Sequence, residues 1–333
     1  MNTKLYTVVI IGPPIAQEAV SLLSRSCRVE YAEASAPEDE VIHKVASCKT
    51  DALIVRMGKA SGEVIRASPK LRVIAKHGIG VDNIDVVAAT AAGIPVLITP
   101  RANYESVAEH TLGLMLAAAR SIPRLDYRIR QGHWDKANYR GVELFRKTLG
   151  IVGFGRIGRR LQELVVPFQM KVVIYDPLLS AENLPPDIIR VDDIHELLKI
   201  ADFVSINCPL TQTTRRLIGE KEIKIMKKSA WIINTSRGGI IDEADLLAAL
   251  EGDEIRGAAI DTFMQEPPAG TPLLGRTRKT VLTPHIGGVT QESFIRMGMQ
   301  AAENVLGFLE SEAVDPDCVV NRDILECLKI LQP

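Results

Sequence analysis

Two groups of residues in this 333-residue chain have the types and spacing that chemistry uses. Gly153, Gly155 and Gly158 form GxGxxG directly after the apolar run Leu149 to Val152 and before a helical pattern opening at Arg156. In such a turn the first glycine makes the bend, the second lets a pyrophosphate approach the backbone, and the third lets helix and strand pack closely. The helix N-terminus adds free N–H groups and a positive dipole end for phosphate. Asp176 follows at the end of the next apolar run. A carboxylate there accepts hydrogen bonds from an adenosine ribose and repels a 2′-phosphate, and Pro177 and Leu178 stand where Arg or Ser would suit that phosphate. The expected dinucleotide is therefore NAD.

The second group is Arg237 in NTSRGG, Glu266 in DTFMQEP and His285 in TPHIGG, each just past a predicted strand. In an open α/β sheet, loops at the carboxyl ends of strands gather in one crevice, so distant side chains converge. Arg237 suits a carboxylate, because its planar fork binds two oxygens and stays charged. His285 suits proton transfer near neutrality. Glu266 would accept the other imidazole N–H, fixing the tautomer and raising the affinity of His285 for a proton. Those are the needs of a carbonyl beside a carboxylate that is reduced next to a nicotinamide. Taken singly, Arg237 is a solvated cation, Glu266 before Pro267 opens a turn, and His285 is one of six histidines. Their order after the glycine loop sets them apart. No two histidines have a zinc-like HxxxH spacing, so no metal is expected.

These residues need two folded platforms. The length predicts about two domains, and a composition of 46% hydrophobic and 24% charged residues is that of a globular chain with real cores. A net charge of −1 gives no basic field for nucleic acid. No apolar run approaches a bilayer span, and Pro13 and Pro14 interrupt the only stretch that looks like a leader. Cys27, Cys48, Cys208, Cys318 and Cys327 are odd in number and lack any CxxC, which predicts reduced thiols and a cytoplasmic protein.

Short β-branched runs alternate with helical periods. Strands are predicted at 7–11, 52–55, 71–75 and 95–98, then a long helix at 103–120 capped by Asn103. A second series has strands at 149–152, 171–175, 203–206, 231–234, 257–260 and 280–282, before a last helix at 292–309. Repeated βα units predict α/β architecture with parallel sheets covered on both faces.

At the motifs the chain resembles the D-isomer-specific 2-hydroxyacid dehydrogenases, a family that includes phosphoglycerate dehydrogenases and hydroxypyruvate reductases. GIGVDNID (78–85), ESVAEHTLGLML (105–116), GFGRIG (153–158), NTSRGG (234–239), DTFMQEP (261–267) and PHIGG (284–288) occur in that family's order, over nearly the whole chain. The resemblance implies two Rossmann-like, doubly wound parallel-sheet domains. Residues 1–100 plus 291–333 would form the substrate domain, completed by the C-terminal tail, and 101–290 the NAD domain, with a cleft that closes on ligand.

It further implies that Arg237 binds and polarises the substrate, that His285 is the acid/base, and that Glu266 pairs with it. Gly153, Gly155, Arg156, Ile157 and Gly158 would lie at the pyrophosphate, with Asp176 at the ribose and Asn207, Pro209 and Thr213 along the adenosine half. Thr235, Ser236, Asp261, Gly287 and Gly288 would surround the nicotinamide, Asp261 holding its carboxamide. Arg56 and the loop at Gly78 would meet the substrate, backbone N–H groups receiving its carboxylate. The stretch 127–134 (YRIRQGHW) matches the arm through which relatives pair, so a homodimer through the NAD domain is expected, with Trp134 as an anchor.

The chain departs from one subgroup. Phosphoglycerate dehydrogenases usually carry Arg-Ser-x-Thr where Arg56, Met57, Gly58 and Lys59 stand here. Arg56 or Lys59 holds a second anionic group of the substrate, or is a solvated cation. The short stretch after His285 predicts no appended regulatory module. The expected activity is interconversion of a small D-2-hydroxyacid and its 2-keto acid. Alternatives are a same-fold dehydrogenase of another anion such as phosphite, or an NAD(H)-sensing corepressor-like protein. Formate enzymes usually lack the glutamate, so Glu266 argues against them.

Overall fold

The β-branched run near the start of the chain forms strand β1 (Tyr6–Ile11), whose side chains alternate between two apolar faces. A computed structural model describes residues 5–179, 184–185, 187–274 and 279–324; Cys327 and the tail from 325 lie outside the described residues. The chain divides into two units, Met1–Asn103 with Val289–Pro333, and Tyr104–Gly288.

In the first unit β1 is followed by α1 (Gln17–Leu23), β2 (Cys27–Ala32), α2 (Glu38–Ser47), β3 (Ala52–Val55), α3 (Gly62–Arg66), β4 (Val73–Lys76), α4 (Val86–Ala91) and β5 (Val96–Leu97). The five strands are parallel in the order β2-β1-β3-β4-β5. Val8 and Ile10 face one core and Val9 and Ile11 the other, so the sheet is buried on both sides. Each fully buried Ile contributes about 1.5–3 kcal/mol.

The second unit holds α5 (Tyr104–Ala119), α6 (Ile122–Arg130), β6 (Thr148–Val152), α7 (Arg156–Val165), β7 (Lys171–Tyr175), β8 (Ile188–Arg190) and α8 (Ile194–Ile200). It continues with β9 (Phe203–Ile206), α9 (Glu220–Lys224), β10 (Trp231–Asn234), α10 (Glu243–Glu251), β11 (Gly257–Ile260) and β12 (Thr280–Leu282). Seven parallel strands run β12-β11-β10-β9-β6-β7-β8. The order reverses between β6 and β9, the switch point at which open α/β sheets bind ligands. Leu149 and Ile151 face one core, and Val152 the other.

The chain then returns to the first unit as α11 (Gln291–Ser311), capped by the Thr290 hydroxyl. Ala301, Val305 and Phe308 of α11 complete the core face shared by Val8 and Ile10. Asn321 accepts from the Val96 amide at 2.9 Å and donates to the Ile94 carbonyl at 3.0 Å, pinning the following segment along β5.

Strands β2 and β8 were absent from the pattern reading. Both are edge strands, and β2 (CRVEYA) carries Arg28 and Glu30 in an ion pair on its exposed side, which breaks the apolar run that marks a buried strand. Asn103 does not cap α5: its Oδ1 is buried without a hydrogen-bond partner among the described residues. Ser121, at φ 49°, separates α5 from α6.

Candidate active site

The glycine loop leaves β6 at Gly153, whose φ of +90° favours glycine and whose position admits no Cβ, because one would lie 2.8 Å from the Cys208 amide nitrogen. Gly155 is the opposite case, since a Cβ there would meet nothing within 4 Å. It sits at the N-cap of α7, and Arg156 beside it is exposed. Open space over a helix N-terminus is what a pyrophosphate needs. Asp176, at the end of β7, accepts from the Phe154 amide at 2.8 Å and the Leu178 amide at 3.0 Å. The carboxylate thus buttresses the glycine loop and retains lone pairs for a ribose.

Asn207 follows β9. Its Nδ2 donates to Ser205 Oγ at 3.0 Å, while its Oδ1 is buried without a partner among the described residues, an acceptor open to an outside donor. The space over Gly155, the buttressed loop and this orphaned acceptor fit a dinucleotide. Thr213 is exposed, with its hydroxyl 3.0 Å from Thr211 Oγ1, and the Pro209 carbonyl accepts from Thr214. Ile157 is half-buried.

At the end of β10, the buried Asn234 organises NTSRGG. Its Oδ1 accepts from the Ser236 amide and hydroxyl, and its Nδ2 donates to the Arg237 carbonyl at 2.9 Å. Thr235 turns inward to Thr111 of α5, with hydroxyls 2.8 Å apart. A Cβ on Gly238 would fall 1.9 Å from the Phe263 carbonyl, so the Arg237 turn and the loop bearing Glu266 lie back to back. Glu243, buried at the start of α10, holds that second loop through the Met264 amide at 2.7 Å and the Thr271 hydroxyl.

Glu266 Oε1 accepts from the Phe263 amide at 3.0 Å, and Oε2 lies 2.7 Å from His285 Nδ1. Burial pushes the Glu266 carboxyl up, but His285, the Phe263 amide and the Arg237 charge outweigh it and hold the group below the ordinary carboxylate range. The acid is therefore ionised near neutrality, His285 Nδ1 carries the proton it donates, and Nε2 is left for a substrate. His285 itself sits at φ 53°, a region costly for a residue with a Cβ.

What holds it there is Asp261, fully buried at the end of β11. Its Oδ1 accepts from Thr283 Oγ1 at 2.6 Å and the Ile286 amide at 2.9 Å, and its Oδ2 from the Gly287 amide at 2.9 Å. Burial raises the Asp261 carboxyl, yet the donors, His110 and Thr283 foremost, bring it below its ordinary value. Most of its acceptor capacity is already spent on the chain itself. Gly287 is buried, and Gly288 half-buried.

In the first unit, Arg56 follows β3 and Gly78 lies just beyond β4. Arg56 donates to the Pro14 carbonyl at 2.6 Å and lies over the Phe294 ring at 4.9 Å, with no carboxylate partner among the described residues. Lys59 is exposed. His77, 6% exposed, is pushed down to about 4 by burial and by the positive charges of Arg56 and Lys76. Within the loop at Gly78, the Gly78 N–H donates to Thr99 Oγ1 at 3.1 Å. Ile79 and Gly80 are half-exposed, and their amides have no hydrogen-bond partner among the described residues.

Of the residues singled out in the sequence, the structure joins the glycine loop to Asp176 and Glu266 to His285, with the Arg237 charge acting on Glu266; Asn234, Gly238, Glu243 and the linkage through His110 were not singled out. Only Asn234 left a signal, in its place two residues before the serine of NTSRGG.

Residues 112–287 match the family model described as "D-isomer specific 2-hydroxyacid dehydrogenase, NAD binding domain". The chain is 42% identical to the D-3-phosphoglycerate dehydrogenase of Methanocaldococcus jannaschii over 92% of its own length and 58% of that protein. It is 38% identical to the hydroxypyruvate reductase of Thermotoga maritima, over 89% of this chain and 96% of the relative. A glyoxylate reductase crystal structure from Paecilomyes thermophila superposes with a TM-score of 0.84 at 30% identity, covering 95% of this chain and 98% of that one. The chain belongs to the D-isomer-specific 2-hydroxyacid dehydrogenase family, and its second unit carries that family's NAD-binding domain. It spans 58–62% of the length of the phosphoglycerate dehydrogenases of M. jannaschii and Mycobacterium tuberculosis.

Proposed function

We propose that the chain is an NAD-dependent oxidoreductase interconverting a small D-2-hydroxyacid and its 2-keto acid. The observation that carries this reading is the His285–Glu266 pair at 2.7 Å, with the Arg237 charge acting on the same carboxylate. When bound, NAD(H) accepts or supplies the hydride at the substrate's C2. Arg237 grips the carboxylate and polarises the neighbouring carbonyl. His285, protonated, gives its Nε2 proton to the carbonyl oxygen in reduction and takes it back in oxidation, while Glu266 steadies the imidazolium. The Gly155 loop and the α7 N-terminus hold the pyrophosphate, Asp176 the ribose, and Asn207 with Pro209 and Thr213 the adenosine side. Thr235, Ser236, Asp261, Gly287 and Gly288 frame the nicotinamide end.

The first unit serves as the substrate domain in this proposal. Arg56 and the loop at Gly78 are its substrate-binding residues in this reading. A homodimer is part of the same reading, supported by Tyr127, Ile129 and Trp134, which are 65%, 48% and 76% exposed on and beside α6. The free thiols Cys27, Cys48, Cys208 and Cys318 support a cytoplasmic setting.

The test is NADH consumption with hydroxypyruvate, glyoxylate and phosphohydroxypyruvate. We expect turnover with at least one of them, and a loss of about 100-fold or more in kcat on His285→Ala with NADH affinity nearly unchanged. Turnover at the unmodified rate in that variant would refute the assignment. Binding of NADH with no turnover on any 2-keto acid would favour the sensing protein instead. Sedimentation of the unmodified chain as a monomer would remove the dimer.

A further inference from the structure

The loop that presents His285 is anchored by more than Asp261. His110, on the middle of α5, points its Nε2 at Thr283 Oγ1 (3.1 Å) and lies 3.4 Å from Asp261 Oδ1. The direction of these bonds follows from counting protons. Thr283 has one hydroxyl hydrogen, and the carboxylate 2.6 Å away claims it. The His110 contact can then be made only if Nε2 carries a hydrogen and donates. A relay results: His110 Nε2–H to Thr283 Oγ1, Thr283 Oγ1–H to Asp261 Oδ1, and from the other side the Ile286 and Gly287 amides to the two oxygens of that carboxylate. The imidazole also packs on the loop itself, since a Cβ on Gly287 would come within 3.5 Å of His110 Cδ2. All of these groups lie in the second unit.

We propose that His110 is a positioning residue for the acid/base: through Thr283 and Asp261 it fixes the 283–287 turn that holds His285 in its left-handed conformation against Glu266. Among the described residues the hydrogen-bond and ion-pair contacts of the His110 ring are with Thr283 and Asp261, and none is with His285. His110 acts on a turn whose central residue is otherwise disfavoured at φ 53° and whose anchoring carboxylate is buried. Without the His110 N–H the Thr283 hydroxyl loses the bond that orients and polarises it toward the buried carboxylate, and the network that holds the turn weakens. The contribution to turnover rests on the function proposed above; the contribution to the turn does not.

Two substitutions separate donation from packing. Gln places an N–H donor where His110 Nε2 lies, whereas Leu fills similar volume without one. In His110→Leu we expect amide hydrogen exchange at Ile286 and Gly287 to quicken by about tenfold or more and kcat to fall by about tenfold, with NADH affinity within about threefold. His110→Gln restores both protection and kcat. Thr283→Val, which removes the atom between His110 and Asp261, reproduces the Leu phenotype, and the double variant is no worse than either single one. Should the Leu variant not fold, as judged by near-ultraviolet circular dichroism, the Thr283→Val and Gln variants decide the matter. Gln no better than Leu, Leu as protected as the unmodified chain, or Thr283→Val without effect on exchange would each overturn the proposal. If the unmodified chain reduces no 2-keto acid, the function fails, but the exchange measurements still decide the role of His110.

Discussion

The first strands of the two units end alike and their continuations diverge within three residues. Each strand is parallel to its neighbours and ended by a glycine at positive φ, Gly12 at 129° after β1 and Gly153 at 90° after β6. Beyond Gly153 come Phe154 and Gly155, an open helix N-terminus, and a carboxylate on the neighbouring strand that receives the Phe154 amide. Beyond Gly12 come Pro13 and Pro14, which have no N–H to offer an anion, and the short helix α1 with no side-chain cap. The next strand ends in Ala32 and Glu33 rather than Tyr175 and Asp176. Two βα platforms of the same type thus carry one dinucleotide loop, and the difference lies in donors and space, not in architecture.

The largest effect that would sharpen this contrast is expected at Gly155. Because a Cβ there meets nothing in the protein, Gly155→Val should leave the melting temperature unchanged while weakening NADH binding by about 1,000-fold, roughly 4 kcal/mol. Calorimetric titration showing retained affinity would remove the pyrophosphate from that space.

A second difference is acid sensitivity. His77, in the first unit, has its proton affinity pushed down to about 4, so between the ordinary histidine value near 6.5 and 4 the unfolded chain binds a proton that the folded one refuses. Its drag on stability is absent above that window and grows as pH falls through it, reaching about 3 kcal/mol. Glu266 in the second unit has the opposite sign: its lowered value contributes stability above the ordinary carboxylate range, lost only as pH falls below it. Denaturation curves between pH 7 and 4.5 should show the first unit weakening first, and His77→Gln should flatten that slope. A slope unchanged in the variant would assign the effect elsewhere.

At Gly12 a Cβ would lie 2.9 Å from the Met57 amide nitrogen at a backbone angle that alanine resists. Gly12→Ala should therefore cost about 2 kcal/mol of stability in the first unit without altering NADH affinity. A loss of NADH binding in that variant would contradict the division of labour between the loops. The smallest effect is expected for Asp176→Ser, which should narrow the preference for NADH over NADPH by about tenfold, read as a ratio of kcat/KM. An unchanged ratio would take the ribose away from Asp176.

What was legible in the sequence follows the same division. The glycine loop, Asp176, Arg237, Glu266 and His285 stand out in the sequence because each expected role needs a residue type at a place set by local chain geometry. Strand β2 escaped because Arg28 and Glu30 give an edge strand the look of a loop. His110 and Glu243 escaped for a different reason. Nothing in an apolar-rich helix such as α5 or at the start of α10 tells which strand-end loop it will brace, and that pairing exists only once the sheet has formed. Which amides of the loop at Gly78 are open could not be read either, because Thr99, some twenty residues on, takes the Gly78 N–H only in the folded unit.

The passage of the chain out of the first unit and back bears on how the protein is made. The face of the first sheet formed by Val8, Ile10 and Ala75 is closed by Ala301, Val305 and Phe308, and the whole of Tyr104–Gly288 is synthesised in between. At about 5–20 residues per second a ribosome needs roughly 10–40 s for that stretch. During that interval the inserted half can mature while its neighbour waits with a bare apolar flank that only the late helix covers.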